Sequence, residues 1–243
     1  FQMTVEINEV AKLKLKNPVV IEGFPGIGMI GTIGASYLAD QLKMTLVGCL
    51  SSNEFPPVAA IHNYVPMSPA RIYASKEHDL IVLFSEFIIP ANIVFELSKT
   101  ITSYARQNNA RAIYSLAGIA SPKPGGKIFG VSSTAEMAEF LKSKGVELVK
   151  EGATQGVSGV LIAKCASEKV PAANLMVQTS APLDPAGSAR LLGKLSEITG
   201  IPMDTAALSK EAKKIEEKMK VALEKMKNMH KGYEEFADNP MYA

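Results

Sequence analysis

Tryptophan is absent from the 243 residues, and cysteine and histidine are scarce, at two and three copies. Each scarcity closes off a class of function. Cys49 and Cys165 stand far apart among apolar neighbours. They are expected as buried thiols of a cytoplasmic protein, since disulfides seldom persist in that compartment. No cysteine or histidine pair has metal-ligand spacing, so no metal site is expected. Nine phenylalanines and seven tyrosines are scattered singly, which leaves no aromatic platform for single-stranded nucleic acid or carbohydrate. Charge of one sign is also lacking. Against 24 acidic residues stand 26 Lys and Arg, a net of +2, too little for a field that recruits nucleic acid. No apolar run approaches the roughly 18 residues that span a bilayer, and no signal peptide is read. Phe1 and Gln2 resemble the remnant of a cleaved tag, so the expected domain begins at Met3.

What is present is alternation. Short β-branched or apolar runs predict strands at Val19–Ile21, Leu46–Leu50, Arg71–Ala74, Leu80–Phe84, Ala112–Ala117, Leu148–Val149 and Leu175–Gln178. Between them fall helical patterns: Met29 to Leu42, Pro90 to Arg106, Thr134 to Gly145, and Asp184-Pro185 to Gly200. Proline suits a first helical turn, and glycine suits a helix end. Val160 to Ala166 is ambiguous and is read as helix. Ser51 to Pro69 carries four prolines and reads as a long loop or extended segment. The alternation predicts a three-layer α/β/α domain with a mainly parallel sheet, spanning residues 3–202.

The character changes after Pro202, and residues 203–243 are expected as a helical extension and tail. Leu208, Ala212, Ile215, Met219, Ala222, Met226, Met229 and Tyr233 recur at alternating spacings of 4 and 3. That is a heptad seam, suited to a coiled coil between subunits or to an amphipathic helix folded on its own domain. Asp238-Asn239-Pro240 ends any helix. Met241-Tyr242-Ala243 then offers an apolar side chain, a phenol and a terminal carboxylate, a three-point anchor for a partner's pocket. Such an ending arises in roughly one chain in a hundred on average composition, so it does not decide the function alone.

Candidates for small-molecule chemistry are few. The turn from Gly23 through Gly26 and Gly28 to Gly31 follows a strand and opens a helix, the placement of a phosphate-cradling loop. No acid ends the second strand to hold a ribose, and no Gly-Lys-Ser/Thr follows. Tight helix–sheet packing explains the same glycines. Glu86 follows the strand ending at Phe84, where open α/β sheets place ligands. His62 and His78 have no sequence partner that completes a catalytic set, and no catalytic residue is assigned.

Several segments together resemble the proteasome assembly chaperone 2 family in its archaeal branch. They are Ile21-Glu22-Gly23-Phe24-Pro25-Gly26-Ile27-Gly28-Met29-Ile30-Gly31, Glu54-Phe55-Pro56-Pro57, Arg71-Ile72-Tyr73, Asp79-Leu80-Ile81-Val82-Leu83 and Glu86, then Gly156-Val157-Ser158-Gly159-Val160-Leu161 and Asp184-Pro185-Ala186-Gly187-Ser188-Ala189. The resemblance runs from Val19 to Ile201. It implies a phosphorylase- or hydrolase-like α/β/α fold with a long C-terminal helix. It also implies a homo-oligomer, with a tetramer favoured over a trimer or pentamer, and a role in assembling the proteasome core particle. Members often end in a hydrophobic-tyrosine-any motif that docks between proteasome α subunits, and Met241, Tyr242 and Ala243 match it position by position. An ATP-grasp label attached to some members finds no lysine and metal-carboxylate arrangement here, and no cofactor is expected. The expectation is a non-enzymatic chaperone or adaptor; the alternative is a small-ligand or nucleotide-binding enzyme using the glycine turn.

Overall fold

The computed structural model describes residues 4–210, together with 217, 221 and 224. In chain order the elements are β1 (Glu6–Glu9), β2 (Val19–Gly23), α1 (Ile30–Gln41), β3 (Thr45–Ser51), β4 (Ala60–His62), β5 (Val65–Met67), β6 (Ala70–Ser75), β7 (Leu80–Ser85) and α2 (Val94–Gln107). They continue with β8 (Ala112–Ala120), β9 (Ile128–Ser132), α3 (Ala135–Ser143), β10 (Glu147–Leu148), α4 (Gly156–Ser167), β11 (Ala172–Thr179), α5 (Pro185–Thr199) and α6 (Ala206–Lys210). Nine strands form one sheet in the order β1-β3-β6-β7-β2-β8-β11-β9-β10.

The three expected layers form. On one face Ile33 and Leu38 of α1, Leu141 of α3 and Leu191 and Leu195 of α5 are buried against Val19, Ile21, Val82 and Leu175 of the sheet. On the other, Leu97 and Ile101 of α2 and Leu161 and Cys165 of α4 meet Val20, Ile81, Leu83 and Ile113. Successive residues of a strand point to opposite faces, so β2 and β7, buried along their whole length, serve both cores. The expected parallel pairing is the centre of the sheet, β7-β2-β8-β11. Outside it β1-β3, β3-β6, β6-β7 and β11-β9 are antiparallel and only β9-β10 is parallel, so the sheet is mixed rather than mainly parallel. The reason is local: β6 returns to β7 through a tight turn, and β3 reaches β6 through the segment that holds β4 and β5, with no helix to carry the chain across a face of the sheet, and both pairs are antiparallel.

Helix ends follow the sequence signals. Asp184 caps α5 by accepting from the Gly187 N–H at 2.7 Å, Pro185 opens the helix, and Gly200 closes it in the left-handed region (φ 73). Thr134 caps α3 through the Met137 N–H at 3.2 Å. Caps of this kind contribute about 1 kcal/mol each.

Four strands, β1, β4, β5 and β9, were not legible in the sequence. β1 and β9 are edge-proximal and short. The segment from Ser51 to Pro69 holds the β4–β5 hairpin, whose two turn residues, Asn63 (φ 49) and Tyr64 (φ 68), are both left-handed. That geometry matches the twist of a two-residue hairpin loop. Pro66 lies within β5, which pairs only with β4, so its missing N–H costs the main sheet nothing.

Leu208, the first position of the seam, packs into the core of its own chain, which at this position is the second of the two expected arrangements, a helix folded on its own domain. Helix α6 lies against α5, and Leu208 is fully buried. The other seam positions, Ala212, Ile215, Met219, Ala222, Met226, Met229 and Tyr233, lie outside the described residues, as do Met241, Tyr242 and Ala243.

Candidate functional site

Strand β2 is where the connections diverge. Its helix α1 leads over one face towards β3, while β7, on that same side of β2, connects through α2 on the other face to β8 on the far side. Ligands of open α/β sheets bind beyond the carboxyl ends of strands at such a switch point. The glycine turn leaves β2 here. Most of its glycines are there for contact. A Cβ on Gly23 would stand 2.3 Å from the Gly31 carbonyl oxygen, and one on Gly31 would stand 2.4 Å from that of Leu116. Thr32 ties the junction by donating to the carbonyls of Gly23 and Ser85 at 3.3 and 3.2 Å. Gly28 takes φ 68 under Thr179, and Met29 follows it in the left-handed region at φ 51. Gly26 alone of these faces open space, with no atom within 4 Å of where its Cβ would be.

The open space is a cleft of about 750 Å³ at the carboxyl ends of β2, β8 and β11. One wall is Phe24–Ile27, the other the exposed stretch from Val149 to Gly156 that leads into α4. Beneath it lies a polar row absent from the sequence reading. Glu22 of β2 is in register with Ser115 of β8, and Ser115 with Asn174 of β11. All three are buried, Glu22 completely. The Glu22 carboxyl accepts from the Phe24 N–H at 2.8 Å and the Ser158 hydroxyl at 2.9 Å, and it also hydrogen-bonds Ser115. Among the described residues no cation answers it, and burial pushes its pKa above the ordinary 4.5 despite those three hydrogen bonds. The Asn174 amide nitrogen reaches the Thr154 hydroxyl at 3.4 Å, and its oxygen is buried without a partner. The signal that could have found the row is plain afterwards: Glu22, Ser115 and Asn174 each break an apolar run within a strand.

Glu86 does not line this cleft. It lies with Arg71 and His62 towards the α1 face of the sheet, where the Arg71 guanidinium donates to its Oε1 and His62 Nε2 stands 2.8 Å from the same oxygen. Arg71 is 4% exposed, stacks over the Phe84 ring at 5.2 Å, and leaves Nε and Nη1 without a partner. The partner of His62 comes from a distant strand end, which is why no spacing announced it. A larger hollow of about 1010 Å³ opens near Arg111 and Lys169, at the amino ends of the central strands, the end at which such sheets do not bind ligands. Cys165 is buried, its thiol pushed up to about 11 by desolvation, whereas Cys49 is half-buried rather than enclosed. Among the described residues no three His, Cys, Asp or Glu side chains cluster as a metal site, and no helix is long and apolar enough to cross a membrane.

Fold and switch point together define a three-layer α/β protein with a closed glycine turn. The model of the PAC2 family matches residues 20–223, and the chain belongs to that family. A Methanocaldococcus jannaschii protein is 34% identical over 236 residues, covering 96% of each chain. Among solved structures, Pyrococcus furiosus PbaA, an archaeal homologue of proteasome-assembly chaperone, matches with a TM-score of 0.81 and 30% identity, over 92% of this chain and 99% of that one. Pyrococcus furiosus PbaB, an archaeal proteasome activator, shares the fold with a TM-score of 0.76 at 23% identity, over 90% of this chain and 98% of that one.

Proposed function

We propose that this protein is a non-catalytic proteasome-assembly chaperone or adaptor that binds α subunits of the core particle through Met241-Tyr242-Ala243. The observation that carries the reading is the family match over residues 20–223, joined to 30% identity with PbaA across nearly all of both chains. The tail chemistry supports it: an apolar side chain and a phenol fill a pocket, and a carboxylate pairs with a lysine. A homo-oligomer, a tetramer in the favoured arrangement, presents several such tails, and effective concentration makes weak single contacts hold while each stays releasable. Weak, releasable contacts suit a protein that must leave a finished particle. The test is native electrophoresis and pull-down with proteasome α subunits, comparing the full chain with one lacking Met241 to Ala243. Retention by the full chain and loss on truncation are expected. Equal retention by both sinks the tail mechanism, and no retention by either sinks the partner.

A further inference from the structure

We infer that the hollow at the amino ends of β2, β8 and β11 binds a carboxylate carried on an aliphatic body, with the carboxylate held by Tyr114, Arg111 and Lys169. The hollow, about 1010 Å³, has α3 on one side and the end of α5 on the other, with Val19 of β2 and Tyr114 of β8 beneath. It lies away from the switch point, so it is read as a binding site and no reaction is assigned to it.

Tyr114 carries the inference. It is 4% exposed and lines the hollow. Its hydroxyl has no hydrogen-bond partner among the described residues, yet it is not sealed from solvent. Buried tyrosines usually find a partner for the hydroxyl, and a group bound in the hollow can supply one. The second observation is the pair of cations. Arg111 and Lys169 each precede one of two adjacent parallel strands, β8 and β11, which brings both to the same end of the sheet. Both are exposed, both line the hollow, and neither has an ion pair among the described residues. Arg111 also acts electrostatically on the Tyr114 hydroxyl, so the two lie close together. The acids of this region are engaged elsewhere. Glu168 pairs with Lys164 and Arg106, and Glu136 hydrogen-bonds its own N–H and the Thr134 hydroxyl at the start of α3.

The other hydroxyls of the hollow are already used. Ser133 donates to the Val170 carbonyl, Thr199 donates to the Leu195 carbonyl, and Thr134 accepts from the Met137 N–H. The unmet polar groups are therefore one hydroxyl and two cations, while Met137, Phe140 and Ile198 offer apolar wall. A sugar or nucleotide would bury polar groups there without partners. An aliphatic carboxylate would not, and a guanidinium presents two N–H groups that match its two oxygens. The volume stands at the upper end of the range for small-molecule sites.

The experiment is calorimetric titration of the full chain with decanoate, decanol and acetate as separate probes. Saturable one-to-one binding of decanoate is expected, with decanol and acetate each weaker by about tenfold or more. Tyr114→Phe should weaken decanoate binding by about tenfold without lowering the melting temperature, since the hydroxyl supports no bond within the described fold. Arg111→Met with Lys169→Met should weaken it further, again with the melting temperature kept. Absence of saturable binding at millimolar decanoate overturns the proposal. So does decanol binding as tightly as decanoate, or full binding by either variant.

Discussion

Two buried ionisable side chains on opposite faces of one sheet are handled in opposite ways. Glu22, completely buried, has three neutral hydrogen-bond partners and, among the described residues, no cation. Arg71, 4% exposed, has a carboxylate but leaves two nitrogens unmatched. The difference follows from what each group can give up. A carboxyl can take a proton and become a neutral acid that hydroxyls and an N–H satisfy. A guanidinium keeps its charge, so it must keep an anion beside it. The α4 face therefore tolerates an acid with no ion pair, while the α1 face holds Glu86 in place for Arg71. The largest expected effect breaks the second arrangement. Glu86→Ala leaves a buried guanidinium without its anion and should cost about 3–5 kcal/mol in urea denaturation. Replacing both partners, Arg71→Met with Glu86→Leu, should recover most of the loss, because a well-packed apolar pair is often no worse than a buried ion pair. A single-variant cost below about 1 kcal/mol would mean that the pair behaves as a surface contact.

The Glu22 side of the comparison predicts a smaller loss and a pH signature. Glu22→Leu strips the Phe24 N–H and two hydroxyls of their acceptor and should cost about 1–3 kcal/mol. Glu22→Gln keeps one carbonyl oxygen and resembles the protonated acid. Because burial raises the folded pKa of Glu22 above its ordinary 4.5, the native state binds the proton more tightly than the unfolded chain does. Stability from this group is therefore fullest below 4.5 and falls as pH rises to the folded pKa, then levels. Glu22→Gln should remove that decline. Denaturation midpoints measured in steps upward from pH 4.5 check it, and parallel profiles for the two proteins would show that Glu22 carries no shift.

How much of this was legible follows the same division. The central strands, four of the five longer helices and the caps of α3 and α5 could be read because each is local: β-branched runs, Pro185 after Asp184, Gly200 at a helix end; α4 stayed ambiguous between helix and strand. The glycine turn was located, but composition could not separate cradle from contact, since only the fold places the Leu116 carbonyl against Gly31. Glu86 was singled out by its place after a strand, while its partners, Arg71 and His62, come from other segments. Glu22, Ser115 and Asn174 were missed as a set because their relation is a register across three strands, and register is set by pairing rather than by spacing along the chain. The interruption of three apolar runs by single polar residues was visible, and a buried polar residue is more informative than an exposed apolar one. Leu208 shows the converse case. Its heptad spacing is real, but spacing states which positions share a face, not which molecule that face meets.

The smallest expected effect asks what Glu86 is for. Its Oε1 faces both Arg71 and His62, and the two partners differ in burial, with side-chain exposures of 4% and 46%. An interaction with a half-exposed imidazole is screened by water and contributes less than about 1 kcal/mol. His62→Ala should therefore lower global stability only slightly. Its effect should be local, in the β4–β5 hairpin, which pairs with no strand of the main sheet and which His62 joins to the end of β7. A hairpin without wider support is marginal in water, so amide exchange across residues 60–67 should quicken while exchange in β2 and β7 stays unchanged. If His62→Ala instead costs as much as Glu86→Ala, the carboxylate serves the histidine first. The buried arginine would then be balanced elsewhere, and the contrast with Glu22 would rest on hydrogen bonds to neutral groups on both faces of the sheet.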